Sequence, residues 1–175
     1  MNIRPLADSD FEALLALDAS FVTDRVWQMR QQGGTQQREI VFQLVSLPRP
    51  LRVSGLYDAA MRRACLRYCS FGWVAEEEGV VRGCLTLEVF PWLQTAWITW
   101  LVVAPEVRRR GIGSALLDVA IAQARALNLL SVQLHLSTKN YPATRFCNVR
   151  GLQYCGYLEA SYGNEIMLLF AYRIR

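Results

Sequence analysis

Residues 101–114, Leu-Val-Val-Ala-Pro-Glu-Val-Arg-Arg-Arg-Gly-Ile-Gly-Ser, constrain this chain more than any other stretch. An apolar, strand-like run ends there. A short turn with Arg108, Gly111 and Gly113 follows, and a long amphipathic helix starts at once. Such a backbone can hold an anionic group, because unpaired N–H groups and the helix dipole attract phosphate to a helix N-terminus. Glycine removes the Cβ atoms that would block close approach. The spacing excludes two other phosphate loops. No Gly-x-x-x-x-Gly-Lys-Ser/Thr is present, and only two glycines stand where a dinucleotide fingerprint needs three. A plain strand-to-helix turn, with glycines for tightness, is the alternative.

The flanking sequence gives the turn a setting. With 175 residues and 53% apolar content, the chain reads as one domain with a substantial core. Asn2–Leu6 reads as a strand, and Asp8 or Ser9 can cap a helix through about Asp18. Val22–Gln31 and Glu39–Leu47 are strand-like runs around Gly33-Gly34, which predicts a hairpin insertion at about 22–50 that Pro48 and Pro50 should end. Tyr57–Tyr68 reads as a helix; Phe71–Glu76, Val80–Phe90 and Ala96–Val103 read as strands. Gly111–Leu127 is helical, with Ile112, Leu116, Val119, Ala120 and Leu127 on the stripe expected to be buried. A strand at Ser131–Leu136, a short helix started by Pro142, and a strand pair at Leu152–Leu158 and Glu165–Tyr172 complete the order. Such an order predicts a mixed α/β sheet of about seven strands with helices on both faces.

A second segment narrows the reading. Asn140-Tyr-Pro-Ala-Thr-Arg-Phe-Cys-Asn-Val-Arg-Gly-Leu152 follows the Ser131–Leu136 strand. With Arg108-x-x-Gly111-x-Gly113 it resembles the two cofactor motifs of the GNAT N-acetyltransferases. Asn140, Ala143, Phe146 and Gly151 match the second motif in identity and spacing. Asp18–Val26 and the segment from Asn164 to Tyr172 resemble the streptothricin acetyltransferase branch.

The resemblance implies the GNAT fold, in which two parallel strands, here Ala96–Val103 and Ser131–Leu136, splay apart. Acetyl-CoA is the implied cosubstrate. Its pantetheine would insert between those strands, against Leu101, Val102 and Val103. The pyrophosphate would sit on amides of Arg109, Arg110, Gly111, Ile112, Gly113 and Ser114. Arg108 would flank the phosphates or shape the loop by hydrogen bonding. Asn140 would contact the cofactor or fix the adjoining strand end, with Ala143, Phe146 and Cys147 nearby. The implied reaction is direct attack of an amine on the thioester in a ternary complex, which removes much of the entropic cost. A base removes a proton from the amine and an acid can protonate the thiolate.

The chain departs from the family pattern at one site. The tyrosine expected after Phe146, the family's commonest acid candidate, is Cys147. The thiol can replace it, Tyr141 or Tyr162 can, or solvent can protonate a thiolate that already leaves well. Cys147 can also be a small apolar contact. Glu88 and, less directly, Glu165 are candidates for the base; alternation puts Thr86, Glu88 and Phe90 on one face. His135, the sole histidine, reads first as a packing residue. Trp92, Trp97 and Trp100 can wall an acceptor pocket or belong to the core.

The expected acceptor is a primary amine on a small molecule, a streptothricin-like antibiotic being one case. A peptide or protein amine, or a degenerate domain that senses acyl-CoA without transfer, are the alternatives. A net charge of +4, from a chain whose basic residues are arginines except Lys139, does not by itself point to nucleic acid. The cysteines Cys65, Cys69, Cys84, Cys147 and Cys155 lack metal spacing, so no metal is expected. Their odd number, without a recognisable signal peptide, fits reduced thiols in a cytoplasm. No membrane span is expected, and a homodimer contact through the hairpin stays open.

Overall fold

In a computed structural model, residues 1–162 and 165–174 are described. Strand β1 (Asn2–Pro5) leads through a short 3-10 turn to helix α1 (Phe11–Ala16). Two long strands follow, β2 (Phe21–Gly33) and β3 (Arg38–Val53), then helix α2 (Ala59–Tyr68). Strands β4 (Phe71–Glu77), β5 (Val80–Phe90) and β6 (Thr95–Val103) run on to helix α3 (Ile112–Ala126). Strand β7 (Ser131–Ser137), helix α4 (Tyr141–Val149) and strands β8 (Gln153–Tyr162) and β9 (Glu165–Arg173) finish the described chain.

The described residues form a seven-stranded sheet of order β1-β4-β5-β6-β7-β9-β8 and a separate β2-β3 ribbon. Within the large sheet β6 and β7 are parallel, and the other neighbours are antiparallel. Two apolar clusters cover its faces. One joins Leu85, Leu87, Ala96, Ile98, Val132, Leu134 and Phe170 to the buried stripe of α3. The other joins Val74, Cys84, Trp100 and Val102 to Leu14 of α1 and Leu66 of α2. Burying each such leucine stabilises by about 1.5–3 kcal/mol.

Local differences from the sequence expectations have physical causes. The α3 stripe is Ile112, Leu116, Leu117, Ala120, Ile121 and Ala124, whereas Leu127 caps the helix and is exposed. Neither Asp8 nor Ser9 caps the first helical segment. The Asp10 carboxylate accepts the Ala7 N–H at 2.9 Å and is held by both Arg4 terminal nitrogens at 2.7 Å. That segment ends at Ala16, before Asp18.

Pro48 and Pro50 do not end β3. The register steps from Arg25↔Ser46 to Thr23↔Leu51, so Leu47, Pro48, Arg49 and Pro50 bulge opposite Asp24. A bulge tolerates proline because the missing N–H has no ladder partner to lose. The ribbon packs on the main body. The Trp27 N–H donates to the Thr138 carbonyl at 2.9 Å, and Phe42 meets Tyr154 and Tyr157 of β8 edge-on.

Candidate active site

Strands β6 and β7 pair over only three positions, Thr95↔Ser131, Ala96↔Val132 and Trp97↔Gln133. Beyond Trp97 they separate, although β6 runs on to Val103 and β7 to Ser137. The register between β5 and β6 also changes there, from Thr86↔Trp100 to Leu87↔Ile98, which makes Thr99 an extra residue in β6. Ile98 packs into the α3-side cluster, while Trp100 and Val102 join the α2-side cluster. The bulge thus changes which residues face which side at the mouth of the fork.

Backbone direction follows from the pairing. The Ala104 N–H donates to the Arg82 carbonyl at 2.8 Å, so this end of β6 alternates between pairs that exchange hydrogen bonds and pairs that do not. Val102 turns its N–H and C=O toward β5. Leu101 and Val103 turn theirs toward the open side of the fork. The expectation for Val102 therefore needs correction: its backbone serves the sheet, and its side chain is 5% exposed in the core. Leu101 and Val103 retain the direction needed to pair with an inserted chain.

The turn to α3 leaves backbone N–H groups without acceptors. Arg109 (φ 66°) and Gly111 (φ 90°) are left-handed, and Gly111 caps α3 without a side chain. The first helical bond is from Ala115 N–H to the Gly111 carbonyl, so the N–H groups of Ile112, Gly113 and Ser114 have no intrahelical acceptor. A Cβ at Gly113 would touch Phe146 at 3.7 Å and Val103 at 3.8 Å, ordinary contacts. Phe146 of α4 therefore backs the same turn. Arg110 is exposed and faces Glu77 at 3.5 Å.

Arg108 is occupied with the protein's own carbonyls. Its Nε donates to Val103 at 2.9 Å, and its terminal nitrogens donate to Ser20 at 2.7 Å and Asp18 at 3.2 Å. It thereby pins the segment entering β2 to the end of β6, the loop-shaping role among its two sequence alternatives. The Asn140 side chain accepts the Ala143 N–H at 3.2 Å and caps α4, worth about 1 kcal/mol.

Cys147 is 1% exposed inside the α3-side core, and burial pushes its thiol up to about 12. A thiol so weakly acidic is a poor donor to a departing thiolate, whose ordinary pKa is about 8.5. Arg25 lies 5.5 Å over the Tyr141 ring and donates to its hydroxyl at 3.4 Å. The side chain of Tyr162, and residue Asn164, lie outside the described residues. Burial opposes ionisation of Glu165, but hydrogen bonds from Lys139 and Ser137 outweigh it and hold the carboxyl below its usual range.

The α2 side of the fork gathers other groups. Glu88 lies opposite Trp97 in the β5–β6 pair, and its charge is felt by the Cys65 thiol of α2, which burial chiefly pushes up. Thr86 and Thr99 share a 2.7 Å hydroxyl bond. The Trp97 ring lies 5.8 Å from the His135 ring, and Tyr57 bonds His135 at 3.0 Å. Trp100 is buried in the core and Trp92 is 77% exposed on the β5–β6 turn, so Trp97 alone of the three expected tryptophans stands beside the fork. Sequence reasoning missed Tyr57 and Thr99. Tyr57 is separated from His135 by 78 positions, and β6 is apolar on both faces, so no break in alternation marks its bulge.

Among the described residues no cluster of three or more His, Cys, Asp or Glu side chains could hold a metal ion. None of their helices is long and apolar enough to cross a membrane.

Comparison with known proteins follows this geometry. The profile described as "Acetyltransferase (GNAT) family" matches residues 39–152. A crystal structure of nourseothricin acetyltransferase is 25% identical, covers 99% of this chain and 98% of its own, and superposes with a TM-score of 0.86. A streptothricin acetyltransferase structure from Bacillus anthracis str. Ames, in complex with acetyl coenzyme A, is 19% identical over 98% of each chain with a TM-score of 0.78. The ribosomal-protein-S18-alanine N-acetyltransferase of Escherichia coli is 15% identical over 99% of this chain and 93% of its own, with a TM-score of 0.66. No curated protein sequence matches the chain to a significant degree.

Proposed function

The chain belongs to the GNAT acetyltransferase family and is an acetyl-CoA-dependent N-acetyltransferase; from that premise we propose that its acceptor is a primary amine on a small molecule of the streptothricin type. The likeness to nourseothricin acetyltransferase over nearly the whole of both chains carries this reading, because it includes the β2–β3 ribbon as well as the cofactor half. Glu88 and Trp97, on the acceptor side of the fork, suit a cationic amine through charge and ring contact.

In this reading the N–H groups of Ile112–Ser114 hold the pyrophosphate of acetyl-CoA. The outward backbone groups of Leu101 and Val103 pair with pantetheine; the Val103 carbonyl already accepts Arg108, so its N–H is the group offered. The thioester then lies toward the base of the fork, where the β6 bulge at Thr99 presents backbone to the carbonyl oxygen. The amine enters from the α2 side and attacks the thioester carbon. The C–N bond forms, the C–S bond breaks, the electron pair leaves on sulfur, and the nitrogen sheds one proton to a base or to solvent. Solvent protonates the thiolate, since Cys147 holds its proton too tightly to give it up.

Release of CoA from the purified protein, measured with a streptothricin, small polyamines and peptides bearing free N-termini, tests the proposal. A kcat/KM for the streptothricin at least about a hundredfold above that for any peptide, a difference of roughly 2.8 kcal/mol, is expected. Turnover confined to peptides overturns the acceptor class. Tight acetyl-CoA binding with no transfer to any amine overturns acetyl transfer itself and leaves an acyl-CoA sensor.

A further inference from the structure

The bulge of β6 is held by a pair of hydroxyls that lie outside both cofactor motifs. Cys84 belongs to the α2-side cluster, whereas Leu85 and Leu87 belong to the α3-side cluster. Alternation therefore turns Thr86 toward α2. Trp100, its partner on β6, faces the same way. Thr99, the extra residue of the bulge, reaches across to Thr86. The two Oγ1 atoms lie 2.7 Å apart, and the Thr99 hydroxyl donates to the Thr86 carbonyl at 3.4 Å. Each hydroxyl has one proton, so in this arrangement it is Thr86 that donates to Thr99 Oγ1.

The burial of this pair makes its polarity informative. Thr86 is fully buried, in a run from Gly83 to Leu87 of which every residue is buried. A hydroxyl there costs stability unless it is bonded. Valine has the same branched shape, suits a strand as well and would need no partner. What valine cannot do is come as close. Two carbon atoms rest about 3.5–4.0 Å apart, so the hydroxyl pair holds Thr99 roughly 1 Å nearer to β5 than two methyl groups would.

The pair stands where the fork opens. The last β6–β7 pair is Trp97↔Gln133, and Thr99 follows two residues on. The Thr99 carbonyl is held as well, because the Cys65 thiol of α2 donates to it at 3.7 Å. A peptide unit is planar, so fixing that carbonyl and its side chain also fixes the direction of the Trp100 N–H joined to it. We propose that the Thr86–Thr99 hydroxyl pair is a positioning clamp, which draws the bulge toward β5 and thereby sets where the backbone at the parting of the strands meets the thioester. The inference rests on the acetyl-transfer reading given above. Neither threonine side chain touches the reacting atoms; both act through the Thr99–Trp100 backbone. Misplacing such a group by about 1 Å can cost about a hundredfold in rate.

A positioning clamp and a plain core contact behave differently when both hydroxyls are removed. One valine leaves the other hydroxyl without this partner and destabilises the fold. Two valines leave no such orphan, and the change can be nearly neutral. Stability should therefore recover in the double variant. The rate should not recover, because the methyl-to-methyl distance stays long. Thr86→Ser keeps the hydroxyl, and with it the short contact.

The test uses the full chain with acetyl-CoA and whichever of the streptothricin, polyamines and peptides above the wild type acetylates fastest. In Thr86→Val/Thr99→Val the single-turnover rate of acetyl transfer should fall by about tenfold to a hundredfold. Acetyl-CoA affinity should stay within about threefold. Its Tm should lie closer to wild type than that of Thr86→Val alone. Thr86→Ser should keep the rate within about threefold of wild type. A double variant whose rate falls by less than about fivefold overturns the clamp. So does a loss confined to KM, or a Thr86→Ser protein that loses as much rate as the double variant. Should the double variant not fold, Thr99→Val decides, since it changes only a half-buried side chain. A fall of more than about fivefold in its rate supports the clamp, and a smaller one overturns it. A wild-type protein that acetylates no amine removes the acetyl-transfer reading and the clamp with it. An active wild type with a fully active double variant removes the clamp alone.

Discussion

The two sides of the fork are assembled in different ways. The side where the proposed function puts the donor is almost entirely backbone from one continuous stretch, Leu101 to Ser114, with Phe146 behind it. The α2 side, where the proposed function puts the acceptor, gathers side chains from separate segments: Tyr57 before α2, Glu88 on β5, Trp97 and Thr99 on β6, and His135 on β7. A backbone site needs only a strand end, a left-handed turn and the start of a helix. A side-chain site needs several elements to be packed correctly first. The donor side should therefore be sensitive to charge and bulk at single positions, and the acceptor side to chemistry at several.

The largest expected effect is on the donor side. Gly113→Glu should weaken acetyl-CoA binding by at least about a hundredfold, roughly 2.8 kcal/mol, by titration calorimetry. The backbone can accept a side chain there, so the loss comes from a carboxylate placed against phosphate. Binding within threefold of wild type would break the comparison at its strongest point.

Arg108→Ala comes next. It removes three hydrogen bonds to main-chain carbonyls and unpins the β2 entrance from β6. A stability loss of about 2 kcal/mol is expected. For a chain of this size that lowers Tm by about 4–8 °C. Acetyl-CoA affinity should fall by about tenfold, and an unchanged Tm would show that the turn holds its shape alone.

Cys147→Ala should cost about 1–2 kcal/mol in stability through the cavity it leaves. Its turnover should change by less than about tenfold. The wild-type thiol stays protonated up to about 12 in the folded chain. In the unfolded chain it ionises near about 8.5. Between those values the folded state binds the extra proton, so wild-type stability falls as pH rises. Denaturant titrations across this range should show a shallower alkaline decline in Cys147→Ala. An equal slope would mean that the thiol ionises in place. The smallest effect should come from Gly113→Ala. Its methyl meets Phe146 and Val103 at ordinary contact distance, so acetyl-CoA affinity should stay within about threefold.

Legibility in the sequence follows the same division. The order of strands and helices could be read because apolar periodicity and turn residues are local signals. Strand β5 begins and ends at the residues that its alternation marks, Val80 and Phe90. The β3 run past Pro48 and Pro50 was not legible, because only pairing with β2 shows that a bulge takes them in. Arg108 could be read as belonging to the turn, but its partners Ser20 and Asp18 lie about ninety residues away. His135 could be noticed as the sole histidine, yet nothing local to it announces Tyr57.

The sequence by itself carried the family resemblance, which implies the fork, and the helix start that faces it, since a glycine turn between a strand and a helix creates unpaired N–H groups wherever it folds. Tertiary structure alone decided that Val102 faces β5, that Cys147 is sealed in the core, and that Tyr57, Trp97 and His135 meet. Those outcomes depend on register, burial and packing between distant segments, and each is fixed only when the sheet and its helices come together.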